Sequence, residues 1–402
     1  MKSCPPARIR SIAPVPIWRM QETGNRRTAE SEVVLNVRRN IVFIAAPQGA
    51  AGGGMGRVKD YIIEAAPSTW PDLRALHLVT RDESTRVQSL LLLLKALRTI
   101  LRYRREILLV HVNIGDKGSA FRKSVVTLFS RLLGLPVVLH LHAVELEQMP
   151  ATALTLLGFV FRSATSVVVL GERYRRWVIE RLGVKPERAK ILWNGVPVEA
   201  PPRRVHADGK TPLDILFLGS LGQRKGTHDL LAALAALPAD VPDWRMTFAG
   251  PGDIDAFQAK AAELGIGERC RFTGWLDQSG SREVTASADI MVLPSYHEGL
   301  PLVILEALGL GTPVVTTPVG VIPEVLTDRQ DVLFCQPGDV PALADRIAAL
   351  LRDSGLRQSL SDNGLALYQR RFSLASFSAS LSDIWQASLP TGAQPIMGNQ
   401  TA

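Results

Sequence analysis

Apolar residues fall along this chain in runs of strand length, separated by stretches in which they recur every three or four positions. In the first half NIVFIAAP (40 to 47) predicts a strand, GAAGGGMG a glycine loop and RVKDYIIEAA a helix. EILLVHVN, LPVVLHLHA, SATSVVVLG and KILWNGV follow as further strands. A second series runs LDILFLGSL (strand), GTHDLLAALAAL (helix), WRMTFAG (strand), DAFQAKAAELG (helix), CRFTGW (strand), SREVTASA (helix), DIMVLPS (strand), PLVILEALGLG (helix), TPVVTT and DVLFCQ (strands). Three helical patterns close the chain. Such alternation marks βα units on a parallel sheet, so the fold class is α/β: two Rossmann-like parallel-sheet domains facing across a cleft. Ligands of these sheets sit at the carboxyl ends of the strands.

The boundaries follow from composition. Residues 39–200 make the first domain and 213–375 the second, with a C-terminal helix over 376–389. Between them EAPPRRVHADGKTP (199 to 212), rich in proline and charge, predicts a linker over 201–212. Residues 1–38, with Pro5, Pro6, Pro14, Pro16 and scattered arginines, and residues 390–402 predict flexible tails.

A chain of 402 residues that is 46% hydrophobic buries a full core. Its leucine run, Leu90 to Leu94, is cut by Lys95 and Arg98, well short of the roughly 20 residues of a membrane-spanning helix. The first 38 residues lack the apolar stretch of a signal peptide. Cys4, Cys270 and Cys335 are far apart and form no CxxC, which favours a reducing cytoplasm over disulfides or zinc. The net charge of +8 hides a division: residues 1–200 carry 30 Lys and Arg against 16 Asp and Glu, and residues 201–402 carry 16 against 22. The first half is therefore the one expected to seek an anionic surface. Within it RVQSLLLLLKALRTILRYRR (86 to 105) and FRKSVVTLFSRLLG combine broad apolar faces with arginines, a composition suited to interfacial helices and also to ordinary core-packed ones.

PSYHEGLPLVILE carries two carboxylates, Glu298 and Glu306, either side of a Gly-Leu-Pro turn. Paired acids suggest a glycosidase, whose carboxyls lie about 5 Å apart or about 6.5 to 9.5 Å apart. With Pro301 at the first helical position, Glu298 falls in a loop and Glu306 inside a helix, a placement better suited to holding two parts of one ligand. The amides of Gly299 and Leu300 at that helix start suit a phosphate. A water-facing glutamate and an exposed helix glutamate are the bland alternative. In FLGSLGQRKGTHDLL, Arg224 and Lys225 stand between a strand and a helix, where two cations can meet a diphosphate. GAAGGGMGR fails both the Walker A pattern and GxGxxG, which disfavours an NAD oxidoreductase and leaves either a close backbone approach to a ligand or a tight turn. His140 and His142 share one strand face, His142 nearer the carboxyl edge. Asp253 and Asp255 form a DxD, but Asp255 at a helix start reads as an N-cap, and no other spacing argues for a metal.

These stretches together resemble the retaining glycosyltransferases of family 4, the group 1 glycosyltransferases of GT-B fold, of surface or exopolysaccharide type. The likeness rests on GGGMGR, HLHAVELE, NGV at 194–196, GSLGQRKG, FAGPGD, RFTGWLD, EGLPLVILE and GVIPEVL, and spans roughly 40–375. It implies a nucleotide-diphospho-sugar donor held by the second domain, as co-substrate with no further cofactor and no metal. Arg224 and Lys225 would bind the diphosphate, Glu306 the ribose and Glu298 the transferred sugar, with His142 facing that sugar. The backbones of Gly53 and Gly54 would approach the phosphates, with Gly299 and Leu300, and the base would lie near Trp275 and Leu276. The acceptor would be a glycan, polyprenyl-diphosphate-linked, met by the first domain at the inner face of the cytoplasmic membrane; no nucleic acid is implied. Two departures touch the loops: Val319-Gly320 where the family commonly has a glycine pair, and Pro197 where an acid commonly follows NGV. A nucleotide-sugar 2-epimerase of similar fold and a catalytically silent nucleotide- or glycan-binding protein remain alternatives.

Overall fold

A computed structural model describes residues 39–48, 53–82, 86–115, 117–142, 145–198 and 212–391. The predicted tail 1–38, nearly all of the 201–212 linker and all but the start of the 390–402 tail lie outside the described residues.

The first sheet is built from β1 (Ile41–Pro47), β2 (Arg74–Arg81), β3 (Ile107–Ile114), β4 (Val137–Leu141), β5 (Ser166–Val169) and β6 (Ala189–Ile191), all parallel, in the order β2-β1-β3-β4-β5-β6. The connecting helices are α1 (Gly53–Thr69), α2 (Arg86–Tyr103), α3 (Lys117–Leu132), α4 (Ala151–Ser163) and α5 (Glu172–Leu182). The second sheet comprises β7 (Leu213–Leu218), β8 (Trp244–Ala249), β9 (Cys270–Gly274), β10 (Ile290–Leu293), β11 (Val314–Thr316) and β12 (Leu333–Phe334), in the order β12-β11-β10-β7-β8-β9. Its helices are α6 (Thr227–Ala235), α7 (Ile254–Glu263), α8 (Gln278–Ser287), α9 (Leu302–Gly309), α10 (Ile322–Val325), α11 (Val340–Arg352), α12 (Ser354–Leu367) and α13 (Leu374–Ala387), with a π-helical turn at Tyr368–Phe372.

Strands β1, β3, β4, β5 and β10 are buried at every position, as their predominantly apolar runs require of strands covered on both faces. In each sheet the strand order reverses between two neighbouring parallel strands, β1 and β3 in the first, β7 and β10 in the second. The loops leaving their carboxyl ends diverge there and open a crevice.

Several elements differ from the sequence reading. The glycine loop is shorter than GAAGGGMG suggests, because α1 begins at Gly53 and takes in Gly53 and Gly54. Pro301 is the N-cap of α9 (φ −70°, ψ 126°) and not its first residue. The cap of α7 is Asp253, whose carboxylate accepts from the Ala256 amide at 3.2 Å, so Asp255 falls in the first turn instead. DVLFCQ contributes only two strand residues.

Helix α13 does not stay with the second sheet. Trp385 packs against Trp70 of the first domain with ring centroids 4.7 Å apart, tilted by 42°, the Trp70 indole donates to Ser382 Oγ at 2.7 Å, and Ser388 Oγ meets Ser166 Oγ at 2.8 Å. Among the described residues no helix is long and apolar enough to cross a membrane.

Candidate functional site

The carboxyl ends of the two sheets enclose one cavity of about 1150 Å³. The first domain lines it with Gly53, Gly54 and Arg57 from the start of α1, and with His142 and Asn194 beyond β4 and β6. The second lines it with Arg224 and Lys225 beyond β7, Gly250 beyond β8, Trp275 and Leu276 beyond β9, and 296–303 beyond β10.

Sheet order explains why the cations and the first glutamate meet. Strands β7 and β10 are adjacent, in register Ile290 to Ile215, so the loops that follow them run side by side. The turn Gln223–Lys225 closes on Gly226, in the left-handed region at φ 68°, where a Cβ would lie 2.1 Å from the Pro294 carbonyl oxygen. Tyr296 N donates to the Arg224 carbonyl at 2.9 Å. Lys225 Nζ thereby comes 2.5 Å from Glu298 Oε1, both side chains nearly buried. Arg224 is exposed to the cavity and has no ion-pair partner among the described residues. The Glu298 loop is held in turn by Gly320 (φ 62°), which packs its α-carbon against the Glu298 carbonyl, and by Val321 N donating to Gly299 O at 3.0 Å. From the first domain, Asn194 Nδ2 donates to Leu300 O at 2.8 Å.

His142 sits just past β4, and its Nε2–H donates to Asn113 Oδ1 at 2.8 Å. Behind it the rings of His140 and His111 form a buried series. The Trp385 indole N–H donates to His111 Nδ1 at 3.0 Å, which places the His111 proton on Nε2, and that nitrogen donates to His140 Nδ1 at 3.3 Å. The His140 ring lies 3.9 Å from that of His142. Burial, followed by the charges of His111 and Lys123, depresses His142 to about 3, so its imidazole is neutral at physiological pH. A general base works best with a pKa near the operating pH, so this ring is fitted to hold a hydroxyl by hydrogen bonding and poorly fitted to take its proton.

Of the eleven residues singled out from sequence, ten line this cavity: His142, Glu298, Gly53, Gly54, Arg224, Lys225, Trp275, Leu276, Gly299 and Leu300. Trp275 stands at the rim, 64% exposed. Glu306 is the exception. It lies in an adjoining pocket with Arg57, Tyr61 and Arg282, and its Oε1 accepts from Arg57 Nη2 at 2.6 Å and Tyr61 Oη at 3.1 Å. Burial raises its pKa, opposed first by the Arg57 charge. The two glutamates thus face separate spaces and carry separate partners, Lys225 and Arg57, an arrangement unlike a glycosidase pair.

Sequence reasoning passed over Arg57, Tyr61, Asn113, Asn194 and Glu324. Arg57 and Asn194 stand inside the quoted GGGMGR and NGV motifs, and Arg57 and Tyr61 share one face of α1 at i, i+4 spacing. Glu324, in GVIPEVL, accepts at 2.6 and 2.9 Å from the amides of Glu172 and Arg173 across the cleft.

Residues 201–366 match the family model described as glycosyl transferases group 1. Over 202 residues the chain is 30% identical to a glycogen synthase of Mycobacterium tuberculosis, covering 50% of this chain and 49% of the relative. Over 317 residues it is 27% identical to an alpha-D-kanosaminyltransferase of Streptomyces kanamyceticus, covering 73% of this chain and 81% of that one. HepE of Anabaena, solved in complex with UDP-glucose, superposes with a TM-score of 0.67 at 19% identity, over 85% of this chain and 98% of HepE. That likeness shows the fold, which is GT-B. The chain spans about half the length of the first of these curated relatives.

Proposed function

We propose, from the premise that residues 201–366 belong to the group 1 glycosyl transferases, that this chain moves a hexose from a nucleotide-diphospho-sugar to a glycan hydroxyl with retention at the anomeric carbon. The observation that carries this reading is the meeting of Arg224, Lys225 and Glu298 on one cavity wall at the β7–β10 crevice. HepE, of the same fold, was solved with UDP-glucose, which supports a nucleotide-sugar as donor.

On this reading Arg224 and Lys225 bind the diphosphate, assisted by the Gly53 and Gly54 backbones and by the amides of Gly299 and Leu300 ahead of α9. Glu298 and neutral His142 hold the transferred sugar, Glu306 the ribose, and Trp275 and Leu276 flank the base. The bond from C1 to the leaving phosphate oxygen breaks, and a bond from C1 to the acceptor oxygen forms on the same face. The acceptor's proton passes to that phosphate oxygen. No protein nucleophile is required, and rate comes from orientation and from stabilising the departing diphosphate's charge. Side chains and amides supply that positive charge, so the reaction proceeds without a metal or other cofactor, and turnover persists in EDTA.

The acceptor is lipid-linked, a polyprenyl-diphosphate glycan at the cytoplasmic membrane surface, in exopolysaccharide or surface-polysaccharide synthesis. Supporting this, Val87, Leu90, Leu91, Leu94 and Leu101 lie along one face of α2 with exposures of 44% to 70%, beside exposed Arg98, Arg102, Arg104 and Arg105. Neighbouring α3 and α4 expose Phe121, Leu156 and Phe159.

Incubation with radiolabelled UDP-glucose, UDP-galactose or GDP-mannose and a membrane lipid extract is expected to give a labelled lipid product. Release of free sugar or epimer without lipid points to the epimerase instead. Changing Arg224 and Lys225 together to Ala is expected to weaken nucleoside diphosphate binding at least tenfold in calorimetry, since charge-assisted hydrogen bonds contribute roughly 1.5 to 3 kcal/mol each. Unchanged binding refutes the assignment.

A further inference from the structure

We propose that Arg57, on the first domain, is a positioning residue for the donor's ribose: it occupies one oxygen of Glu306 and leaves the other to accept the ribose diol. The inference rests on the reading of Glu306 as the ribose ligand and adds to it a contribution from the opposite domain.

Glu306 Oε1 is taken twice, by Arg57 Nη2 at 2.6 Å and by Tyr61 Oη at 3.1 Å. No described residue donates to Oε2. The carboxylate is thus turned by two contacts from one helix face, and a ligand meets a fixed acceptor. Arg57 lines both the main cavity and the small pocket holding Glu306, so it stands at the junction of the two spaces. Its guanidinium bonds the carboxylate through a single nitrogen, and its Nε is buried with no acceptor among the described residues. A purely structural arginine gains most from a bidentate grip on the carboxylate. A single contact that leaves Oε2 open is the geometry expected if another partner completes the site.

The surroundings of Glu306 make this arrangement consequential. Leu302, Ile304, Leu305, Ala307 and Leu308 of the same helix are buried, and burial pushes the carboxyl pKa upward; Arg57 is the largest opposing influence, with Tyr61 and Arg282 adding to it. Only the ionised form presents two equivalent acceptor oxygens. Arg57 therefore fixes the orientation of the carboxylate and favours the form that can accept from a diol. The paired residues are 249 positions apart and sit on opposite domains, so the contact ties the ribose ligand to the relative placement of the two domains.

The test measures, by calorimetry on the full chain, the affinity for UDP or GDP, whichever binds more tightly, for its 2′,3′-dideoxy analogue and for inorganic pyrophosphate. The wild type, Arg57→Met and Arg57→Lys are compared. The wild type is expected to prefer the ribonucleotide over the dideoxy form on the order of tenfold, the loss of one charge-assisted hydrogen bond or more. In Arg57→Met that preference should shrink to within about twofold, with pyrophosphate binding unchanged, and Arg57→Lys should restore part of it. Because the preference is a ratio within one protein, loss of folded material does not imitate its disappearance. A preference retained in Arg57→Met overturns the proposal. Absence of any preference in the wild type overturns the ribose reading of Glu306 itself. Equal losses for all three ligands make Arg57 a diphosphate ligand and overturn its positioning role.

Discussion

Among single side chains, the histidines at the cavity wall and behind it depart furthest from their behaviour in water. His111 and His142 are each held near 3, His111 chiefly by burial, whereas in an unfolded chain they protonate near 6.5. Between these values the unfolded chain binds protons that the folded one refuses, so stability falls as pH drops from 6.5 toward 3. The slope is about 1.4 kcal/mol per pH unit for each such histidine. Denaturant titrations at pH 7 and pH 5 should show this loss, and His111→Gln should make it smaller; an identical slope refutes the assignment. Gly320 gives a second prediction. At φ 62°, with a Cβ placed 1.9 Å from the Glu298 carbonyl oxygen, Gly320→Ala should cost at least about 1 to 3 kcal/mol. It should also weaken donor binding through the displaced Glu298. Val319→Gly, restoring the glycine pair, is expected to leave donor affinity within about twofold, because position 319 makes no such approach. The sequence shows that a glycine is missing there, but only the backbone shows which of the pair carries the constraint.

At the scale of elements, α5 begins without a cap of its own. Its N-cap, Gly171, has no side chain to offer, and Glu324 of α10 supplies the acceptor from the other domain. A Cβ at Gly171 would lie 2.6 Å from that carboxylate. Glu324→Ala should therefore cost about 0.5 to 2 kcal/mol in unfolding experiments. Gly171→Ala should displace the same contact, so the double variant should lose less than the sum of the two; strict additivity would falsify the link. Legibility in the sequence divides along similar lines. Central strands such as 107–114 stand out because burial on both faces keeps them largely apolar, with only His111 and Asn113 interrupting the run. Edge strand β2, RALHLVTR, does not, because only two of its eight positions are buried and its apolar residues are interrupted by Arg74, His77, Thr80 and Arg81. The loops after β7 and β10 were recognisable by their charges, as was the crevice by its βα alternation. The partner of Glu306 was not, since nothing local ties residue 306 to residue 57.

For the molecule as a whole, charge and apolar exposure are distributed unevenly. The exposed apolar residues of α2, α3 and α4 all belong to the first domain, which also holds the basic excess. If that face rests on anionic lipid, each arginine near the surface contributes on the order of 1 kcal/mol. The protein should then sediment with anionic vesicles more than with neutral ones, and less so in high salt. Replacing Arg98, Arg102, Arg104 and Arg105 by Ser should reduce this binding while donor affinity stays the same. Equal partitioning to both vesicle types would leave these arginines as a solvated face and make a soluble acceptor the better reading. The return of α13 to the first sheet bears on how the protein is made. During synthesis Trp70 and His111 emerge early, yet Trp385, which packs on the one and donates to the other, is added some 270 residues after His111. At about 5 to 20 residues per second that interval is roughly 14 to 55 s, during which the whole second domain is synthesised. The first domain is begun first and finished last, and a premature stop or a protease cut ahead of residue 374 would damage the half of the protein most distant from it in sequence.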